Sequence, residues 1–343
     1  MATIERNFFG KLKTGKEVFA YSLKNDDLEV EILDYGGIIR KILAKDRKGN
    51  IENVVLNFET LQEYEDNPDY HIGGIVGRNA GRIANGQLNI KGEIYELELN
   101  NNGNNLHGYP DYFVTKLWRG ATIIQGETLK LILTRTSPHM EGNFPGKIDF
   151  KVIYTLEKNR LTVEYKGVPD RETYMNLANH TYFNLSGNVK EDIGNQKIQL
   201  YCDNYIEVDR RTLPQKISNV DFKIFDLRNG VKFKEILNSQ EEQIKIVNGG
   251  LDHPFILSKK EKVDGIILDE KSGRALKIKT NQPVVVVYTG NYLKDIFGRN
   301  HVGFCLEMQD CPDILQFYNE KSKLYSKKDE YYSKSQYTFF NFW

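Results

Sequence analysis

Cysteine is scarce in this chain: three in 343 residues, at Cys202, Cys305 and Cys311. The number is odd, the spacing fits no zinc pattern, and the chain is far too long to be a disulfide-stapled minidomain. Free thiols in a reducing compartment are expected. A surplus of either charge is lacking too, since 47 Lys and Arg balance 47 Asp and Glu. That balance argues against a nucleic-acid partner, which selects for a basic excess or stripe. The local basic run at Lys321, Lys323, Lys327 and Lys328 is interrupted by Tyr325, Asp329 and Glu330, and reads as a solvated edge.

Long apolar runs are missing as well. The most apolar stretch, Pro283 to Tyr288, is only strand-sized, so no membrane span is expected. Residues Met1 to Gly10 carry Glu5 and Arg6 and contain no apolar h-region, so no signal peptide is apparent. Without a secretory route, the two Asn-x-Ser/Thr sequons at Asn179 and Asn184 read as chance. The expectation is a soluble cytoplasmic protein.

Helical periodicity is rare, with one short helix expected over Val231 to Leu237. Period-two alternation is what the chain has instead. Phe150, Val152, Tyr154 and Leu156 point one way, Lys158-Asn159 turns the chain, and Leu161, Val163 and Tyr165 resume. The same pattern recurs at Leu28-Val30-Ile32, Tyr95-Leu97-Leu99 and Leu129-Leu131-Leu133. Strand-like pieces lie around Val54-Leu56, Ile198-Leu200, Ile266-Leu268, Leu276-Ile278 and Val284-Tyr288, punctuated by Gly and Asn clusters. No repeat, linker or compositional break divides the chain. We therefore expect an all-β fold, one large antiparallel β sandwich with few short helices, formed by residues 1–343 as a single domain.

Five segments carry chemistry. In Asn179-His180-Thr181-Tyr182-Phe183-Asn184-Leu185, a titratable imidazole sits among rings on which a sugar can lie and amides that can bind hydroxyls. The run Gly77-Arg78-Asn79-Ala80-Gly81-Arg82 has neither a dinucleotide fingerprint nor a phosphate-loop ending. Its two arginines either aim donor forks into a cleft or form surface ion pairs. Asn104-Asn105-Leu106-His107-Gly108 pins a histidine after an Asn-rich turn, at a cleft rim or in a turn without a role. Asp252 in Leu251-Asp252-His253 needs a partner if buried, which ligand hydroxyls or an arginine would supply. Glu307 in Phe304-Cys305-Leu306-Glu307-Met308-Gln309 is a carboxylate among apolar neighbours. Desolvation there would raise its pKa and poise it to take a proton, unless it faces solvent.

Together and in this order these segments resemble the aldose 1-epimerase (galactose mutarotase) family. Tyr288-Thr289-Gly290-Asn291 adds a sixth match, and the resemblance covers nearly the whole chain. It implies a large antiparallel β sandwich with a sugar cleft. It places Glu307 as general base and His180 as general acid, with His107, Arg82, Asp252, Asn79 and Tyr288 binding substrate. Three positions depart from the family pattern: Tyr109 where a second glycine usually follows the histidine, Val286 where some relatives carry glutamine, and Met308 within the Glu-x-Gln motif. They bear on sugar preference rather than on the reaction.

The implied reaction is ring opening of a free aldohexose, bond rotation and reclosure, which needs no cofactor and no metal. It requires Glu307 ionised and His180 protonated. The alternatives are a hexose-6-phosphate 1-epimerase, which would need further cationic side chains such as Arg78 in the site, and a noncatalytic carbohydrate-binding protein. A glycoside hydrolase using Asp252 with Glu307 is a further rival. A monomer or a homodimer is equally compatible with the sequence.

Overall fold

The alternation between Phe150 and Tyr165 becomes two ten-residue strands, Ile148–Glu157 and Arg160–Pro169, in a computed structural model of the chain. The structure describes residues 2–221, 223–313 and 324–342. Lys158 takes a left-handed φ of 52° at the turn between the two strands. All seven of the alternating residues named above are at most 2% exposed, so the period in the sequence is the period of burial.

Three antiparallel sheets share one core. The first is a five-stranded meander from Thr3–Lys11 to Ile51–Asn53. A nine-stranded sheet runs from Arg119–Gln125 at one edge to Val231–Lys232 at the other, and Tyr331–Asn341 fills its centre between Arg160–Pro169 and Arg274–Thr280. The third has six strands, in the order Tyr182–Phe183, Phe304–Gln309, Val284–Tyr288, Asp252–Leu257, Cys202–Val208 and Pro214–Asn219. Leu23 and Val30 from the first, Val152 and Ile278 from the second, and Val287 and Leu306 from the third meet in one apolar cluster. This face-to-face packing is the sandwich that the alternation implied.

Some elements differ from expectation. Residues Val231–Lys232 pair with Lys197 and Ile198 as an edge strand, so the helix begins only at Phe233 and ends at Leu237. The strand over Tyr95 stops at Glu96, and Leu99 is exposed. Val54 to Leu56 makes an isolated bridge through Val55 to Phe183 rather than a strand. The three cysteines are buried, and none is joined in a disulfide among the described residues. Lys327 and Lys328 are exposed in a turn, whereas Lys321 and Lys323 lie outside the described residues. Among the described residues, no helix is long and apolar enough to cross a membrane.

Alternation in the six-stranded sheet also creates the site. Phe304, Leu306 and Met308 enter the main core, as do Val285 and Val287 next to them. Glu307 and Gln309, with Val286 and Tyr288, point the other way and line a cleft of about 260 Å³. Both faces of Phe304–Gln309 are buried, which is why the segment reads as apolar apart from Glu307 and Gln309.

Candidate active site

The cleft collects residues from segments far apart in the sequence. Glu307 sits at its floor, opposite Val286 on the neighbouring strand, which in turn pairs with Pro254. The carboxylate is therefore flanked by apolar side chains and is only 4% exposed. Burial, and then the charge of Asp252, push its pKa up to about 8 against the opposing pull of Arg82.

His180 lies in the break between Ala178–Asn179 and Tyr182–Phe183. Two backbone hydrogen bonds fix it: its N–H donates to Gly74 O at 2.9 Å, and Gly73 N–H donates to its carbonyl at 3.1 Å. Asn179 shapes that break. Its side chain accepts from Thr181 N–H at 3.0 Å and donates to Gly73 O at 3.0 Å. The Asn184 amide is likewise consumed internally, donating to Glu191 O and Val302 O at 2.7 Å. These amides hold backbone, so the expectation that they bind hydroxyls is not met. Nε2 of His180 stands 3.7 Å from Glu307 Oε1, and Nδ1 stands 3.5 Å from the Cys305 thiol. Burial pushes the imidazole down to about 4.

His107 is oriented by a reciprocal pair with Gly81. Its N–H donates to Gly81 O at 3.1 Å, and Gly81 N–H donates to its Nδ1 at 3.1 Å. The next residue must be glycine: Gly108 has φ +83°, and a Cβ there would lie 2.2 Å from Gly77 O. Arg82 donates through Nε to Asn101 Oδ1 at 2.9 Å and approaches Asp252 Oδ2 to 3.6 Å. The carboxylate of Asp252 thus has the arginine partner its burial requires. Tyr288 completes an aromatic wall, its ring 6.0 Å from Tyr182 and 6.2 Å from His180.

Six of the seven residues expected in the site line this cleft: Glu307, His180, His107, Arg82, Asp252 and Tyr288. Asn79 does not. It is 1% exposed and donates to Gly81 O at 3.3 Å, behind the turn that carries Arg82. Arg78 also points away from the cleft. It is 2% exposed, and its guanidinium donates to Ser137 Oγ and to the carbonyls of Ser137, Pro138, Phe144 and Pro145. Sequence reasoning missed His71, Asp69 and Tyr292 and gave Gln309 no role of its own, though all four line the cleft. The available signal for His71 was its place just before Gly73-Gly74, whose backbone pairs with His180.

His107, His180 and Glu307 also offer one ligand atom each within 4.8 Å of one another, a grouping that no spacing in the sequence announced. The Gly81 bond decides against a cation there. It engages the Nδ1 lone pair of His107 and puts the ring proton of the neutral imidazole on Nε2, so that ring acts as a donor and not a ligand.

The chain is similar to known proteins in both sequence and overall structure. The sequence model of the family described as Aldose 1-epimerase matches residues 20–338. The galactose mutarotase of Rattus norvegicus is 36% identical over 326 residues, covering 92% of each chain. The aldose 1-epimerase of Haemophilus influenzae is 32% identical over 309 residues, covering 85% of this chain and 86% of that one. The crystal structure of galactose 1-epimerase from Lactobacillus acidophilus superposes with a TM-score of 0.87 at 29% identity, covering 99% of each chain. On these grounds the chain belongs to the aldose 1-epimerase family and is an isomerase of the mutarotase type.

Proposed function

We propose that this enzyme interconverts the α and β anomers of free aldohexoses such as galactose and glucose. Glu307 and His180 form the proton-transfer pair, His107, Arg82, Asp252 and Tyr288 contact the sugar, and residues 1–343 act as one domain. The observation that carries this reading is the 3.7 Å approach of His180 Nε2 to Glu307 Oε1 on the floor of a buried polar cleft. One group takes the proton of the C1 hydroxyl while the other gives a proton to the ring oxygen. The ring opens to the aldehyde, the C1–C2 bond rotates, and closure on the other face of the carbonyl reverses both transfers. Two positioned transfers, each worth about 10² to 10⁴ in rate, are enough for such a reaction.

The resting distribution of the proton differs from the expected one. Burial favours a protonated Glu307 and a neutral His180, where the sequence reading had the carboxylate ionised and the imidazole charged. Both arrangements hold a single proton on the pair, so pH does not interconvert them. The sugar does so when its hydroxyls replace water as donors to the carboxylate, assisted by the charge of Arg82. The rate constant kcat/KM is therefore expected to follow a bell in pH. It falls below about 4 as the pair gains a second proton, and above about 8 as it loses its only one. A profile that stays flat from well below 4 to well above 8 contradicts a two-group reaction.

Charge favours the free sugar over a phosphorylated one. Among the described residues lining the cleft, Arg82 is the sole arginine or lysine, and it is already held by Asp252 and Asn101. Asp69 and Asp252 would oppose a phosphate, and Arg78 is committed elsewhere. The test is polarimetry on freshly dissolved α-galactose and α-glucose, with and without the protein, beside a hexose 6-phosphate. Faster approach to the same final rotation with the free sugars is expected. Acceleration confined to the phosphate ester would overturn the charge argument.

A further inference from the structure

The cleft contains one imidazole that the reaction above leaves unused. His71 follows the short turn Pro68–Tyr70 and has a left-handed φ of 50°. Its ring stands edge-on to His107 at 4.7 Å and to Tyr112 at 4.6 Å, and lies 5.7 Å from His180. The residue is 3% exposed and lines the cleft together with the proton-transfer pair. Neither ring nitrogen has a hydrogen-bond partner among the described residues.

That combination calls for a reason. Edge-on packing between Tyr112 and His107 is a role a phenylalanine would fill without stranding two polar atoms. Buried polar groups in folded proteins almost always find partners, and an exception that faces a cleft is placed to meet whatever the cleft binds. Burial and the neighbouring His180 keep the ring neutral, so it presents one N–H and one lone pair. A sugar hydroxyl, donor and acceptor at once, matches either. A second orphan in the same cleft, Gln309 Oε1, points to the same kind of ligand.

We propose that His71 is a substrate-contact residue that sets sugar preference by hydrogen-bonding one hydroxyl of the aldose away from C1. The proposal rests on the reading of the cleft as a free-aldose site. It makes a site built to hydrogen-bond one hydroxyl, and an analogue lacking that hydroxyl leaves a buried ring nitrogen unpaired in the complex.

The experiment compares the wild-type protein with His71→Phe on galactose and on its 2-, 3-, 4- and 6-deoxy analogues by polarimetry. The wild type is expected to lose roughly 10- to 100-fold in kcat/KM on one analogue. His71→Phe is expected to lose a similar factor on galactose, mostly through KM, and nothing further on that analogue. Equal loss on every sugar would mean a packing role and overturn the proposal, as would no loss at all. If the wild type accelerates none of these sugars, the free-aldose reading itself fails. Imidazole ¹⁵N shifts of the wild-type protein titrated with galactose give a readout independent of the variant's folding. Movement of the His71 resonances is expected, and unmoved resonances at saturation would sink the assignment.

Discussion

With Glu307 replaced by glutamine, the optical rotation of fresh α-galactose should decay at close to its spontaneous rate. The amide keeps the shape of the side chain and can still hydrogen-bond a hydroxyl, yet it cannot take a proton. A loss of at least about 10³ in kcat is expected, with little change in KM, since a positioned proton transfer is worth about 10² to 10⁴. His180→Asn should cost a similar factor. The double variant should be scarcely worse than either single one, because the two groups act as a unit. The same Glu307→Gln change should stabilise the protein in alkali. The carboxyl titrates higher in the fold than the ordinary carboxylate, so its contribution to stability is complete below the unfolded value near 4.5 and is lost as pH rises through about 8. Glutamine never pays that penalty. Above pH 8 the variant should therefore unfold later than the wild type by on the order of a few kcal/mol, an advantage that vanishes in mild acid. A variant that is inactive but no more stable at high pH would argue against a costly buried carboxylate at this position.

Arg78→Met is expected to be among the most destabilising single changes in the chain. The methionine fills much of the volume but strands five acceptors that the guanidinium now satisfies: the Ser137 hydroxyl and four carbonyls between Ser137 and Pro145. Each buried acceptor left without a donor costs about 1–3 kcal/mol. Partial relaxation and entering water bring the net loss to roughly 3–5 kcal/mol, read by denaturant unfolding. Activity should fall alongside stability. The turn that begins at Arg78 carries the Gly81 N–H that orients His107, and Arg82 immediately after it. Arg78→Lys should rescue little, because one ammonium cannot reach acceptors spread around a planar fork. A fully stable Arg78→Met protein would show that the clamp is dispensable.

How much of this was legible in the sequence varies with the physics behind each element. Strands with one buried face announced themselves, as in Leu129, Leu131 and Leu133, because burial there follows the two-residue repeat of the backbone. The edge strand Arg119–Gln125 was not seen, since it is exposed on both faces and carries no alternation. The helix Leu61–Asp66 was also missed, although Thr60 and Glu63 form a capping box that the Thr-Leu-Gln-Glu order spells out. At the site, the neighbours of Glu307 and His180 left each open to a bland reading, and the family resemblance is what singled them out; the fold brings the two side chains together in one cleft. Residue pattern alone could not tell which of Arg78 and Arg82 reaches the cleft, and only the resemblance picked Arg82: both sit in one glycine-rich turn, whose path sends Arg78 to the carbonyls between Ser137 and Pro145 and Arg82 towards Asp252. Asn79, Asn179 and Asn184 looked like hydroxyl binders for a related reason. An amide that braces backbone and an amide that binds sugar are the same side chain until its partners are known.

The central place of Tyr331–Asn341 in the nine-stranded sheet bears on how the protein is made. That strand alone joins the half-sheet ending at Arg160–Pro169 to the half that begins at Arg274–Thr280. A chain emerging from the ribosome has synthesised every residue of its cleft before it possesses the piece that closes its largest sheet. Until residue 331 appears, two long strand edges stand open to each other's neighbours and to other nascent chains. Translation stalled before this strand would leave a protein with every residue of its cleft and a nine-stranded sheet in two halves, a natural client for chaperones.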